Sequence, residues 1–252
     1  MFDLSGRVAV VTGASAGLGV QFAKALARQG ADMAILARRK DKLEAVAEEI
    51  RALGVRCLSV VCDVTSQEQL DAAHDAIIAE YGKVDILVNN AGGGKGAPVW
   101  EMDDERWNYA LDLSLHSTFK CTRLFAKGMM ERGYGRIINI GSMLGMVGIF
   151  AIASPAYAAA KGGVINLTRA MSAEMCSHGV TVNCICPGFF ASEATGPRFA
   201  DPSFENLLKT YSPMHRGGRE GELDSAVVFL AAEESSFVTG VILPVDGGWT
   251  SI

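Results

Sequence analysis

The 252-residue chain has no apolar run of the roughly 18–20 residues that a bilayer crossing needs. Its opening "MFDLSGRVAVV" lacks a basic segment leading into a long apolar one, so no secretion signal is expected. There is no basic stripe, and the net charge is −5, which argues against nucleic acid as a partner. The six cysteines (57, 62, 121, 176, 184 and 186) form no C-x-x-C pair and lie in or beside apolar segments. That usage suits a reduced, cytoplasmic setting in which cysteines serve as small core residues. Cys184 and Cys186 are expected to alternate across a strand and not to hold a metal. His74, His116, His178 and His215 are scattered, so no metal site is expected. Linkers, repeats and low-complexity stretches are absent too, which predicts one domain over residues 1–252.

What the chain has is 49% hydrophobic residues and a regular alternation of patterns. "RVAVVT" (7–12), "DMAILA" (32–37), "RCLSVVCDV" (56–64), "VDILVNN" (84–90), "GRIINIGS" (135–142), "VTVNCICPG" (180–188) and "VILPVDGG" (241–248) read as strands. Between them lie helical stretches: 17–29, 40–53 with apolar positions at 43, 46, 47, 50 and 53, one opened by Ser66 with Gln69 as a capping box, one long helix over 103–131, and one carrying Tyr157. Apolar strands alternating with long helices predict an α/β fold, a parallel seven-stranded sheet covered on both faces.

Strand one runs through "TGASAGLG" (12–19) directly into a helix. Gly13, Gly17 and Gly19 let the backbone turn sharply and approach a pyrophosphate, which a helix N-terminus stabilises. Ser15, Ala16 and Leu18 belong to the same turn. The spacing is G-x-x-x-G-x-G, so the strand–turn–helix context carries the inference. Where an NAD site places an acidic residue at the end of strand two, this chain has Ala37 followed by Arg38, Arg39 and Lys40. Those cations could be a solvated run. At a helix start they oppose the dipole, and an arginine fork suits the 2′-phosphate of NADP(H), which is preferred here over NAD(H). Asp63 could cap a helix or, with Val64, contact adenine. Asn89 and Asn90 could tie strand ends together, while the "NNAGGG" that includes Ala91 and Gly92 allows close ligand approach. All these loops follow strand C-termini, where open α/β sheets bind ligands.

In "SPAYAAAKGG" (154–163), Tyr157 and Lys161 stand four apart, on one helical face among small residues. They could be incidental polar groups on a packing helix. Alternatively, the cation tunes the phenol. Lowering a phenol from about 10 to about 7 needs ~4 kcal/mol, and a cation about 4 Å away supplies ~4 kcal/mol at an effective dielectric near 20.

"TGASAGLG", "NNAG", Ser142, "YAAAK" and "PG" after strand six, in this order, resemble the short-chain dehydrogenase/reductase family across essentially the whole chain. "SPAYAAAKGGVINLTRA" and "PGFF" look like members labelled gluconate 5-dehydrogenase. The resemblance implies a Rossmann-like doubly wound fold, an enzyme interconverting a secondary alcohol and a ketone, and a homotetramer. It implies that Tyr157 is the general acid or base, that Lys161 also holds the nicotinamide ribose, and that Ser142 orients the carbonyl. Pro187, Gly188 and Phe190 would fall beside the nicotinamide. Two departures stand out. Ser114 occupies the place of a family asparagine thought to support a water serving the lysine, so Ser114→Asn is expected to keep or raise turnover in a steady-state assay. Ser192 stands where a threonine grips the nicotinamide amide, and it retains the hydroxyl.

Residues 188–215 carry four phenylalanines and few charges, and read either as core packing or as a substrate lid. With Met143, Leu144, Met146, Val147, Ile149 and Phe150 they suit a bulky apolar ketone such as a hydroxysteroid. A keto-sugar acid would need a cation, for which Lys95 and Arg198 are the candidates. A 3-oxoacyl thioester is the further alternative. A catalytically silent NADP-binding sensor or scaffold would have no use for Ser142, Tyr157 and Lys161 together.

Overall fold

The computed structural model describes residues 2–149, 152–192 and 195–251. Phe150 of the apolar run after Ser142, and positions 193–194 of the 188–215 stretch, lie outside them.

Seven strands form one sheet: β1 (Val8–Thr12), β2 (Asp32–Ala37), β3 (Cys57–Val61), β4 (Ile86–Asn89), β5 (Gly135–Ile140), β6 (Val180–Pro187) and β7 (Ile242–Val245). Every pairing is parallel, in the order β3-β2-β1-β4-β5-β6-β7. The strand order reverses between β1 and β4, which opens a crevice at their C-terminal ends.

The apolar strands are sandwiched. Ala9 and Val11 of β1 face one core with Phe22 and Leu26 of α1 (Leu18–Arg28), Leu43 and Ile50 of α2 (Lys40–Arg51), and Leu230 of α9 (Asp224–Ala231). Val10 faces the other, with Leu70 and Ile77 of α3 (Gln67–Tyr81), Phe125 and Met129 of α5 (Ser117–Arg132), and Met171 of α6 (Pro155–Met175). Burial on both faces explains why these strands read as continuous apolar runs. The remaining helices are α4 (Asp104–Leu111), α7 (Gly196–Phe199) and α8 (Pro202–Tyr211).

The structure differs from the sequence reading in several places. The helix expected over 40–53 ends at Arg51, and Leu53 is exposed. The strand expected over 56–64 stops at Val61, so Asp63 sits beyond it. Ser66 caps α3 by accepting from the Gln69 amide, but the Gln69 side chain accepts from the Asp63 amide instead of completing the box on Ser66. The long helix over 103–131 is broken by a π-turn, Asp112–His116, between α4 and α5. A π-turn inserts one residue without spoiling apolar spacing on either side, so periodicity does not register it. Cys184 and Cys186 do not alternate; two residues apart on one strand, they share a face. Cys176 is exposed, unlike the other five cysteines. Among the described residues, no helix is long and apolar enough to cross a membrane.

Candidate active site

Every loop singled out in the sequence emerges at the same C-terminal edge of the sheet. Gly13 and Gly17 adopt φ of 68° and 60°, which L side chains rarely adopt. A Cβ on Gly13 would lie 3.0 Å from the Ala91 Cα, so β1 and β4 can meet only with glycine there. Thr12 fastens the junction, its Oγ1 accepting from the amides of Asn90 and Ala91 at 3.0 Å each. Asn90 donates to the Thr12 carbonyl at 2.9 Å, so it ties strand ends together and also borders the crevice. Asn89 is purely internal, donating to Thr122 and Asn139 in a buried polar ladder that continues to Thr168.

A cleft of about 650 Å³ opens at this edge. It is lined by Gly13, Ala16, Gly17, Leu18, Arg38, Arg39, Asn90, Ala91, Gly92, Ser142, Tyr157, Lys161, Pro187, Gly188, Phe190 and Ser192. Ser15, Asp63 and Val64 line an adjoining recess of about 290 Å³ that shares Gly13, Arg38 and Arg39. Gly19 and Ser114 line neither. Gly19 is buried, and a Cβ there would fall 2.4 Å from the Gly13 carbonyl oxygen, so it permits close packing of α1 on the turn. A separate cavity of about 490 Å³ behind Phe189 and Phe190 contains none of Ser142, Tyr157 and Lys161.

The chain fits a dinucleotide here on its own evidence. The N-terminus of α1 has no side-chain cap and no acidic residue in its first turn, leaving its positive end to an anion from outside. Arg39 directs Nε and Nη2 to the Ser15 hydroxyl at 3.3 and 3.2 Å, which sets its guanidinium beside the recess. Arg38 lies 3.9 Å from the Asp63 carboxylate, whose other oxygen accepts from Thr65.

Ser142 begins just past β5 in extended conformation, and its Oγ accepts from the Leu144 amide at 3.2 Å. It also hydrogen-bonds the Tyr157 hydroxyl. Pro155 starts α6, a position that costs no hydrogen bond, so Tyr157 projects from the first turn. Lys161 is 3% exposed and donates to the Ile140 carbonyl. Its ammonium stands 5.7 Å from the Tyr157 ring centroid. A Cβ on Gly92 would come within 2.9 Å of that nitrogen. Ser114 sits in the π-turn with its Oγ 3.2 Å from the Gly93 amide and 3.3 Å from its carbonyl, and its own carbonyl accepts from Thr118. Ser114 therefore pins the glycine loop beside Lys161 without facing the cleft.

The electrostatics correct one expectation. Within the chain, burial pushes the Tyr157 phenol up, and its hydrogen bond with Ser142 only partly opposes this. The lowered group is Lys161, brought down to about 8 by burial. The ammonium is directed at a backbone carbonyl and lies over the ring, so it does not discharge the phenol as the spacing alone suggested. An ammonium held near 8 against an ordinary 10.5 destabilises the fold by ~3 kcal/mol at neutral pH. Between those values the unfolded chain binds the extra proton, so stability rises with pH and the deficit is gone above 10.5. Lys161→Met should therefore raise the urea midpoint at neutral pH and flatten its rise at alkaline pH.

The sequence reading missed Tyr109, Leu113, Ile140 and Gly141, which also line the cleft, as do Gly93 and Gly94 of the glycine loop it singled out and Phe189 and Thr195 of the 188–215 stretch. The spacing of Tyr109 and Leu113, four apart, marks one helical face and could have flagged that pair. Among the described residues, no cluster of three or more His, Cys, Asp or Glu side chains could hold a metal.

The sequence pattern of the short chain dehydrogenase family matches residues 7–203. The chain is 38% identical over 250 residues to the gluconate 5-dehydrogenase of Gluconobacter oxydans (strain 621H), covering 99% of this chain and 97% of that one. It is 39% identical over 246 residues to the 3-oxoacyl-(acyl-carrier-protein) reductase FabG of Vibrio cholerae, covering 98% of each. Its fold matches a gluconate 5-dehydrogenase from Burkholderia cenocepacia J2315 in complex with NADP and tartrate, with a TM-score of 0.95, 36% identity, and coverage of 100% of this chain and 98% of the other. The chain belongs to the short chain dehydrogenase family. It is a nicotinamide-dependent oxidoreductase acting on CH–OH groups.

Proposed function

We propose that the protein interconverts a hydroxyl and a keto group on a sugar-derived acid, with NADP(H) as coenzyme. The observation that carries the substrate reading is the fate of the phenylalanines. Phe189 packs edge-on against Phe204 and Trp249 at 5.0 and 5.3 Å, and Phe199 packs on Phe204 at 5.2 Å. Phe190 is buried. Phe199 and Phe204 are spent on this packing, and of the four rings only Phe189 and Phe190 also line the cleft, which leaves little aromatic face for a steroid. The cation a sugar acid needs is Lys95, whose ammonium stands 5.3 Å from the ring centroid of Tyr109, a cleft residue, and is paired with exposed Glu105. The relative bound to NADP and tartrate, a hydroxy acid, supports the same choice.

Gly13, Ala16, Gly17 and Leu18 hold the pyrophosphate at the head of α1. Ser15, Arg38 and Arg39 take the 2′-phosphate, and Asp63 and Val64 border the adenine. Asn90, Ala91, Gly92, Pro187, Gly188, Phe190 and Ser192 shape the nicotinamide half. When bound, the nicotinamide gives or takes a hydride at the carbon bearing the reacting oxygen. Ser142 donates to that oxygen and fixes its place beside Tyr157, which protonates it in reduction and removes its proton in oxidation. Lys161 supplies positive charge and a ribose contact. Gly188, Phe189, Phe190, Ser192 and Thr195 border the cleft where a lid from the 188–215 stretch would cover the substrate. The apolar wall of Leu113 and Phe189 favours a second reading, a 3-oxoacyl thioester.

NADPH consumption over a keto-sugar acid, an acetoacetyl thioester and a keto-steroid tests the reading. Turnover should be fastest with the sugar acid, and activity confined to the thioester would overturn it. Lys95→Met should raise KM for the sugar acid by about tenfold, the loss of one charge-assisted contact, and leave a neutral ketone unaffected.

A further inference from the structure

Gly145 closes the short turn Met143–Gly145 that follows β5. Its φ is not positive, so the turn itself does not call for glycine. What calls for it is a contact. A Cβ on Gly145 would lie 2.6 Å from the Lys161 carbonyl carbon, 2.7 Å from the Gly162 amide nitrogen and 2.9 Å from the Lys161 carbonyl oxygen. All three atoms are backbone within α6, and they cannot swing aside as a side-chain tip would. The turn therefore rests directly on the peptide that joins Lys161 to Gly162.

The same turn is tied to Ser142. The Gly145 amide donates to the Ser142 carbonyl at 3.0 Å, and the Leu144 amide donates to Ser142 Oγ at 3.2 Å. The Met146 and Val147 amides both donate to the Met143 carbonyl, at 2.9 and 3.0 Å. A displacement of Gly145 is thus passed to the Ser142 hydroxyl through the hydrogen bonds of the turn. Ser142 comes from the end of β5, whereas Tyr157 and Lys161 both come from α6. Their mutual placement is set where those two elements touch, and Gly145 stands at that point.

We propose that Gly145 is a positioning residue that seats the Ser142 turn on the α6 backbone and so fixes the Ser142 hydroxyl against Tyr157 and Lys161. The proposal rests on the assignment of Ser142, Tyr157 and Lys161 above. Restoring an ordinary separation of about 3.5–4.0 Å around an added methyl moves the turn off the helix by about 1 Å. A misplacement of about 1 Å at a reacting centre costs on the order of 10²-fold in rate.

The test compares Gly145→Ala with two other glycine variants in steady-state ketone reduction, alongside fluorescence titration with NADPH and urea unfolding. Gly145→Ala should lower kcat by about 10- to 100-fold and leave NADPH affinity within about twofold. Gly162→Ala, on the helix side of the same contact, would place its Cβ an ordinary 3.4 Å from the Gly145 carbonyl oxygen and should keep the wild-type kcat. Gly179→Ala lies just before β6, at the opposite edge of the sheet, where φ is 75° and a Cβ would collide with the Gly133 carbonyl oxygen. It should lower the urea midpoint at least as far as Gly145→Ala and yet keep the kcat of the folded enzyme. If Gly145→Ala does not fold, hydrogen exchange in the wild-type enzyme carries the test. The Gly145, Met146 and Val147 amides should then be protected without coenzyme, and exchange at the rate of an unstructured peptide overturns the proposal. A kcat loss in Gly145→Ala no greater than in Gly179→Ala, while Tyr157→Phe is impaired, overturns the positioning role and leaves the cleft assignment standing. A Tyr157→Phe variant as active as wild type overturns the cleft assignment and the positioning role with it.

Discussion

Tyr157→Phe is expected to slow ketone reduction by about 10²–10⁴-fold, the usual worth of a placed proton donor, while NADPH binding stays within about twofold. The phenyl ring keeps its packing, since a Cβ on Gly94 would already meet the Tyr157 side chain at 3.0 and 3.4 Å. Only the hydroxyl disappears, and with it the partner of Ser142. The pH dependence carries the mechanism further. Burial holds the phenol above its ordinary value, so it remains protonated through neutral pH within the chain alone. Reduction, which consumes that proton, should hold its rate from neutral pH downwards, whereas oxidation should climb as pH rises. Stopped-flow NADPH oxidation with parallel fluorescence titration separates the two effects. A phenylalanine variant with unchanged rate would remove Tyr157 from the chemistry.

The expectation of a depressed phenol failed for a physical reason. The four-residue spacing of Tyr157 and Lys161 correctly places both on one face of α6, but a spacing says nothing about the desolvation each group suffers. Lys161 points to the Ile140 carbonyl, and burial of the phenol outweighs the lowering hydrogen bond with Ser142. The same distinction runs through the fold. Parallel pairing was legible because β1 and β2 are apolar along almost their whole lengths, as doubly covered strands are, whereas the order of the strands was not read. The break between α4 and α5 was not legible, because the π-turn preserves the apolar face on both sides. Ser114 could be named from a resemblance, yet its grip on Gly93 depends on that turn and on the loop after β4 meeting in space. Long-range contacts of this kind leave no local period. Thr12 escaped for the same reason, since its hydroxyl serves two amides nearly eighty positions away. Gly19 was legible as a special glycine but its purpose was not: it admits the Gly13 carbonyl instead of a ligand.

Coenzyme choice turns on two side chains, and the expected result of altering them is large. Arg38→Ala with Arg39→Ala should weaken NADPH by about 100-fold, two charge-assisted contacts at roughly 1.5 kcal/mol each, and leave NADH within about twofold. Arg39 is already oriented by Ser15, so little side-chain freedom remains to be lost when a phosphate arrives. Arg38 is exposed and only loosely paired with Asp63 at 3.9 Å, so its contact with a phosphate should be salt-sensitive. Raising salt should therefore erode NADPH affinity in wild type and have little effect in the double variant. Adding Ala37→Asp should then favour NADH, because Ala37 closes β2 and lines the recess where an acidic group would meet the ribose hydroxyls. Aspartate alone, with both arginines intact, should gain far less, since Arg39 would pair with it. Fluorescence titrations with the two coenzymes at low and high salt decide the matter. Equal wild-type affinity for NADPH and NADH would show that neither arginine meets a phosphate.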